Sequence, residues 1–171
     1  MLKYERLLLS HPLATKSLTS ALVTGAGDLF CQLGVERADA LDRPRLAAFT
    51  AVGGLLVAPV LHGWYSLLNS RFPGRRAPAV ALRLVLDQAL FAPIFLPVVM
   101  GSALLTEGQA EPRATLSREW WPALLVNWQL WVPAQLINFR WMPPHYQVLF
   151  ANGVGLVWNT YLSYVSHSEL H

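Results

Sequence analysis

Long apolar runs alternate with short polar breaks along the chain. The first run extends from about Leu13 to Leu33 and is entered through "SHP", where Ser10 or His11 can cap a helix and Pro12 suits its first turn. Gly34 follows as a helix stop. The loop "VERADALDRPR" then brings six charges, and a second run extends from about Leu46 to Leu68. "NSRFPGRRAP" ends it, with Pro73-Gly74 as a strong turn signal. A third run covers about Val80 to Leu105 and is followed by the polar linker "TEGQAEPRATLSRE". The fourth opens at "WWPALLV", contains "NWQLWVPAQLINF", and is broken by "RWMPPHY". A fifth covers Val148 to Val165. Four of these runs approach the ~20 residues that cross a bilayer, and the fourth run is polar enough for hydropathy alone to miss it. The expectation is an all-α integral membrane helical bundle with four to five membrane-embedded helices, in one multispanning domain over residues 1–171. The alternation of a β-barrel is absent, and no internal repeat is visible.

Composition supports the membrane class. Of 171 residues, 54% are hydrophobic and only 13% are charged, and the mean hydropathy is +0.36. Soluble domains carry about 25% charged residues, which a small protein needs to cover its surface. The net charge is +3. Its cations (Lys3, Arg6, Lys16, Arg43, Arg45, Arg71, Arg75, Arg76) fall at the ends of the apolar runs, as in loops and headgroup zones. They make no basic face of the kind nucleic acid requires, so no nucleic-acid partner is expected. The start "MLKYERLLLS" reads as a mature N-terminus rather than a cleaved signal. Trp64-Tyr65, Trp120-Trp121, Trp141 and Tyr161–Tyr164 stand near run ends, as an interfacial aromatic belt would.

Polar residues inside the apolar runs are the costly feature, because ionisable groups in spanning helices face a bundle interior or water. Asp28 and Gln32 are four apart and share a helix face, as do Arg83 and Asp87, with Gln88 adjacent. His62 lies in the second run. In the fourth, Asn127, Trp131, Gln135 and Asn138 fall within an arc of about 80°, and Gln129 points elsewhere. Pro133 removes a backbone donor there and is expected to kink the helix, releasing the carbonyl of Gln129. Two readings follow. Asp28, Gln32, Arg83, Asp87, Gln88, Asn127, Gln135 and Asn138 line or brace a hydrated path, or they are interhelical glue in which Arg83 and Asp87 form a local ion pair.

Other chemistry has little support. "VTGAGD" lacks the third glycine and the βαβ setting of a dinucleotide loop. The five histidines show no metal spacing beyond the tail pair His167 and His171, and the single Cys31 reads as a small buried hydrophobe. No catalytic residue, metal or cofactor is expected.

The order of several motifs resembles a known family. They are "HP..T" at His11–Thr15, "GD...Q" at Gly27–Gln32, "DRPR" at Asp42–Arg45, "P..HGWY" at Pro59–Tyr65, "LDQALFAP" at Leu86–Pro93, then "WWPALLVNWQLWVPAQLINF…PPHY" and "WNTYLSY". Together they resemble the twenty-two-kilodalton peroxisomal membrane protein family, which includes the Mpv-seventeen and Sym-one proteins. The resemblance implies a small multispanning helical protein with channel-like passage of small solutes or ions, tied to metabolite balance and stress tolerance. The alternative is a non-transporting scaffold subunit of a membrane complex. Implied partners are membrane lipid, the solutes or ions themselves, and a second copy of the chain. The Sym-one-like segments imply the mitochondrial inner membrane, with the peroxisomal membrane as the alternative. Gln147 stands where the family commonly has an arginine, and Val132 separates the motif's tryptophan from its proline.

Overall fold

The structure is a computed structural model that describes residues 3–37, 40–106 and 111–168. It is 89% helical, with no strand among the described residues. The elements are α1 (Lys3–Ser10), α2 (Pro12–Phe30), α3 (Arg43–Ala51), α4 (Ala58–Arg71), α5 (Ala77–Leu86), α6 (Ala92–Thr106), α7 (Pro112–Trp141) and α8 (Gln147–Ser168). Three π-helical turns join or extend them: Cys31–Val35 after α2, Val52–Val57 between α3 and α4, and Asp87–Phe91 between α5 and α6. Three continuous helices are therefore long and apolar enough to cross a membrane: Pro12–Val35, Arg43–Arg71 and Ala77–Ser102. Gln147–Trp158 is a shorter apolar helix. The 30-residue α7 is long enough to cross, but its amides and charges keep it out of that apolar class, as the sequence suggests.

Local signals explain where the helices begin. α2, α3, α5 and α7 each carry proline in the first two positions, where its missing N–H costs nothing. Asp42 caps α3 by accepting from Arg45 N at 3.0 Å. Gly74 takes φ +90° in the turn before α5, a conformation glycine adopts without strain. Gly34 does not stop the first long helix. The chain passes it in a π turn closed by Glu36 N–H on Cys31 O at 2.9 Å.

The described residues form two compact units: residues up to Leu67 with those from Pro143 onward, and Leu68 to Met142. In the first, α2 is central, with α3 and its π turn on one side and α8 on another. Small residues permit that approach. A Cβ on Gly54 would lie 2.9 Å from Ala21 Cβ and 3.1 Å from Ser17 O, and one on Gly53 would lie 3.1 Å from Ser20 O. In the second unit α7 packs along α5 and α6.

Prolines in the second unit release carbonyls that tryptophans of α7 collect. Pro97 has no N–H for Pro93 O, and Trp120 Nε1 donates to that oxygen at 3.2 Å. In the π turn, Ala92 N–H bonds Asp87 O, five residues back, and Pro93 has no N–H to offer Gln88 O. Trp128 Nε1 takes Gln88 O at 2.9 Å. Trp120 is therefore a half-buried internal donor rather than a belt residue, and Tyr65 is 2% exposed. Trp121 and Trp141 are exposed as a belt requires. The side chains of Tyr161, Tyr164 and His167, and residue His171, lie outside what the structure describes.

Candidate functional site

All eight polar residues singled out by the sequence are buried, from Asn138 at 0% exposed to Gln88 at 8%. They fall into different hydrogen-bonded groups.

In the first unit, Asp28 and Gln32 sit at the end of the first long helix. Gln32 Nε2 donates to Asp28 Oδ2 at 2.8 Å, and Arg45 Nε to Asp28 Oδ1 at 3.0 Å. Arg45 also makes a bidentate pair with Glu36, with N···O distances of 3.0 and 2.9 Å. Gln32 grips the Asp42 backbone through both amide atoms, accepting from its N–H at 2.8 Å and donating to its carbonyl at 3.2 Å. Cys31 Sγ lies 3.7 Å from Glu36 Oε1. The group thus closes the turn between α2 and α3. Arg45 and Glu36 were missed as partners. The signal was present: a buried carboxylate needs a counter-charge, and "DRPR" supplies one directly after the loop.

Two more polar pairs hold the first unit's interior. Ser20 Oγ accepts from Asn152 Nδ2 of α8 at 2.6 Å, both residues being buried. Lys16, expected in the solvated zone, is only 7% exposed, and its Nζ lies 3.0 Å from His62 Nδ1 of α4. Lys16 is one turn inside Pro12, where the helix packing folds it inward instead of outward.

In the second unit, Asp87, Gln88, Gln135 and Asn138 come together. Asp87 Oδ2 accepts from Gln88 Nε2 at 2.7 Å and from Gln135 Nε2 at 2.8 Å. Gln135 Oε1 accepts from Asn138 Nδ2 at 2.8 Å. The π turn helps: its looser winding keeps adjacent Asp87 and Gln88 both buried toward α7. Asp87 stands ten residues beyond Ala77, about 15 Å along the axis, near the middle of a core about 30 Å thick. Gln88 Oε1 is buried with no donor among the described residues.

Arg83 does not join this group. Its guanidinium donates to Asn69 Oδ1 at 2.5 Å and to the carbonyls of Gly74 at 2.6 Å, Phe139 at 3.3 Å and Ala79 at 3.4 Å. It also lies over the Phe139 ring at 5.5 Å. Side chains on a helix lean toward its N-terminus, so Arg83 reaches back to the 69–74 turn and away from Asp87. The local Arg83–Asp87 pair of the glue reading is not formed. Asn127 is buried on the same face of α7 with no hydrogen-bond partner among the described residues, while Gln129 and Pro133 are exposed. The helix stays α-helical through Pro133. Gln147 is 1% exposed at the start of α8. Among the described residues, no three His, Cys, Asp or Glu side chains are grouped to hold a metal.

Comparison with known proteins extends this picture. Residues 104–163 match the model of the Mpv17 / PMP22 family. The chain is 35% identical to Protein SYM1 of Gibberella zeae, covering 95% of both chains. It is 35% identical to the mitochondrial inner membrane protein Mpv17 of Homo sapiens, covering 96% of both. It is 31% identical to PXMP2/4 family protein 2 of Dictyostelium discoideum, covering 98% of this chain and 91% of that one. No solved structure matches.

Proposed function

The chain belongs to the Mpv17/PMP22 family of membrane proteins, and from that premise we propose that it is a channel passing small solutes or ions across the mitochondrial inner membrane. The compartment is that of its Mpv17 relatives, and the bilayer lipid is its surrounding partner. The observation that carries the channel reading is the Asp87–Gln88–Gln135–Asn138 group. It is a buried carboxylate with three carboxamides, near the middle of a spanning helix and turned toward α7. Ionisable groups at that depth mark solute, ion or proton routes. Gln88 Oε1 supports it, because a buried acceptor with no donor among the described residues is suited to bind water or a passing cation.

In this reading Asp87 supplies the field at the narrow part of the path. Gln135 and Asn138 hold its carboxylate in place and offer polar surface along α7. Arg83 fixes the helix ends that frame them. Conductance of the purified protein in planar bilayers tests it. Asp87→Asn changes conductance or ion selectivity, and Gln135→Leu reduces conductance. A conductance unaltered by Asp28→Asn and Asp87→Asn together rejects these carboxylates as determinants of the path. A protein that never conducts supports the scaffold alternative.

A further inference from the structure

We propose that Lys16 and His62 form a binding site for a phosphate group, separate from the Asp87 group and carried wholly by the first unit. Lys16 is 7% exposed, and His62 Nδ1 at 3.0 Å is its one hydrogen-bond partner among the described residues. A buried ammonium is normally matched by an anion, because a neutral neighbour does not offset its desolvation. Among the described residues, the unit's carboxylates do not supply that anion. Asp28 and Glu36 are committed to Arg45, and Asp42 caps α3. Asp28 is also three turns further along α2, about 18 Å away. Glu5 on α1 forms no ion pair among the described residues.

The donor set defines the ligand. An ammonium has three N–H donors, and the contact with Nδ1 uses one. With Nδ1 accepting, the ring carries its hydrogen on Nε2, which becomes a further donor. The pair therefore presents donors alone with a positive charge, which suits the several acceptor oxygens of a phosphate. His62 is half-buried, so its side chain is partly open to a ligand. Lys16 lies about 6 Å along the axis from Pro12, near the start of the span and so close to the headgroup zone, and Leu13, one turn earlier, is exposed. The phosphate belongs either to a phospholipid headgroup or to a soluble phosphate-bearing molecule.

The test is the unfolding midpoint of the full chain in nonionic detergent. It is titrated with inorganic phosphate, and separately with phosphatidylcholine, with or without phosphatidylglycerol, in mixed micelles with the detergent. Wild type rises by roughly 5–10 °C at about 100 times Kd. A response to inorganic phosphate assigns a soluble ligand, and a response to the phospholipid micelles alone, with or without phosphatidylglycerol, assigns a lipid headgroup. Lys16→Met weakens apparent binding by about tenfold or more, the loss of one charge-assisted contact. Arg6→Gln, which removes an exposed cation, keeps the full response. His62→Phe removes the Nε2 donor while leaving Lys16, and weakens binding too, so the test stands if Lys16→Met fails to fold. No shift in wild type with either probe, or a full shift in either folded variant, overturns the proposal.

Discussion

Replacing Arg45 by methionine isolates what holds the α2–α3 turn together. Methionine keeps most of the stem and removes the guanidinium. The side chains of Arg45, Asp28 and Glu36 are 18%, 1% and 14% exposed, so the variant leaves two carboxylates in a largely buried site. It also removes three charge-assisted bonds, one to Asp28 and two to Glu36. Breaking a buried pair from one side costs about 3–5 kcal/mol, most of it from the stranded charge. The turn is not fully buried, so about 3 kcal/mol is the expected loss. That is roughly a hundredfold in the folding equilibrium. The assay is reversible unfolding in mixed micelles with increasing denaturing detergent, followed by helix content. The double variant Asp28→Asn with Arg45→Met removes the more deeply buried stranded charge and recovers about half of the loss. If Arg45→Met unfolds within about 0.5 kcal/mol of wild type, the network contributes little and the reasoning fails. A double variant no better than the single would show that the penalty does not come from the stranded carboxylate.

Four other outcomes follow. Gly54→Ala places a methyl 2.9 Å from Ala21 Cβ and costs about 1–3 kcal/mol by overpacking, whereas Gly63→Ala meets nothing within 4 Å and stabilises by up to about 1 kcal/mol; the same unfolding assay compares them. Ser20→Ala leaves Asn152 Nδ2 without its 2.6 Å acceptor and costs about 1–3 kcal/mol. Trp128→Phe orphans the Gln88 carbonyl and costs about 1 kcal/mol or more, with faster amide exchange at the Asp87–Phe91 turn. Arg83→Met releases the 69–74 turn, seen as proteolysis at Arg75 or Arg76 that wild type resists.

Much of the helix layout was legible because apolar run length and proline position act locally. The inward face of α7 was legible for the same reason. Asn127, Gln135 and Asn138 share an arc set by helical geometry alone, and all three are buried while Gln129 is exposed. The π turns were not legible. Each adds a single residue per turn without altering the apolar run, so no periodicity marks it. Nor were the long-range partners. Lys16 and His62 are 46 residues apart, and Ser20 and Asn152 are 132 apart, so only the packing of α2 brings them together. Trp120 misled for a physical reason: an indole near the end of an apolar run suits an interface or an orphaned carbonyl equally well, and Pro97 decides for the carbonyl.

The central claim is that the polar face of α7 beside Asp87 meets water inside the membrane. Cysteines placed one at a time at the polar positions Asn127, Gln135 and Asn138, and at Leu125 and Leu136 as controls, in a Cys31→Ala background, read this directly in reconstituted vesicles. With a wet path, a charged, membrane-impermeant thiol reagent labels the three polar positions, and Leu125 and Leu136 on the exposed apolar side of α7 stay unlabelled. If the charged reagent labels none of the three while a lipid-soluble maleimide labels Leu125 and Leu136, the face is dry and the channel account is contradicted.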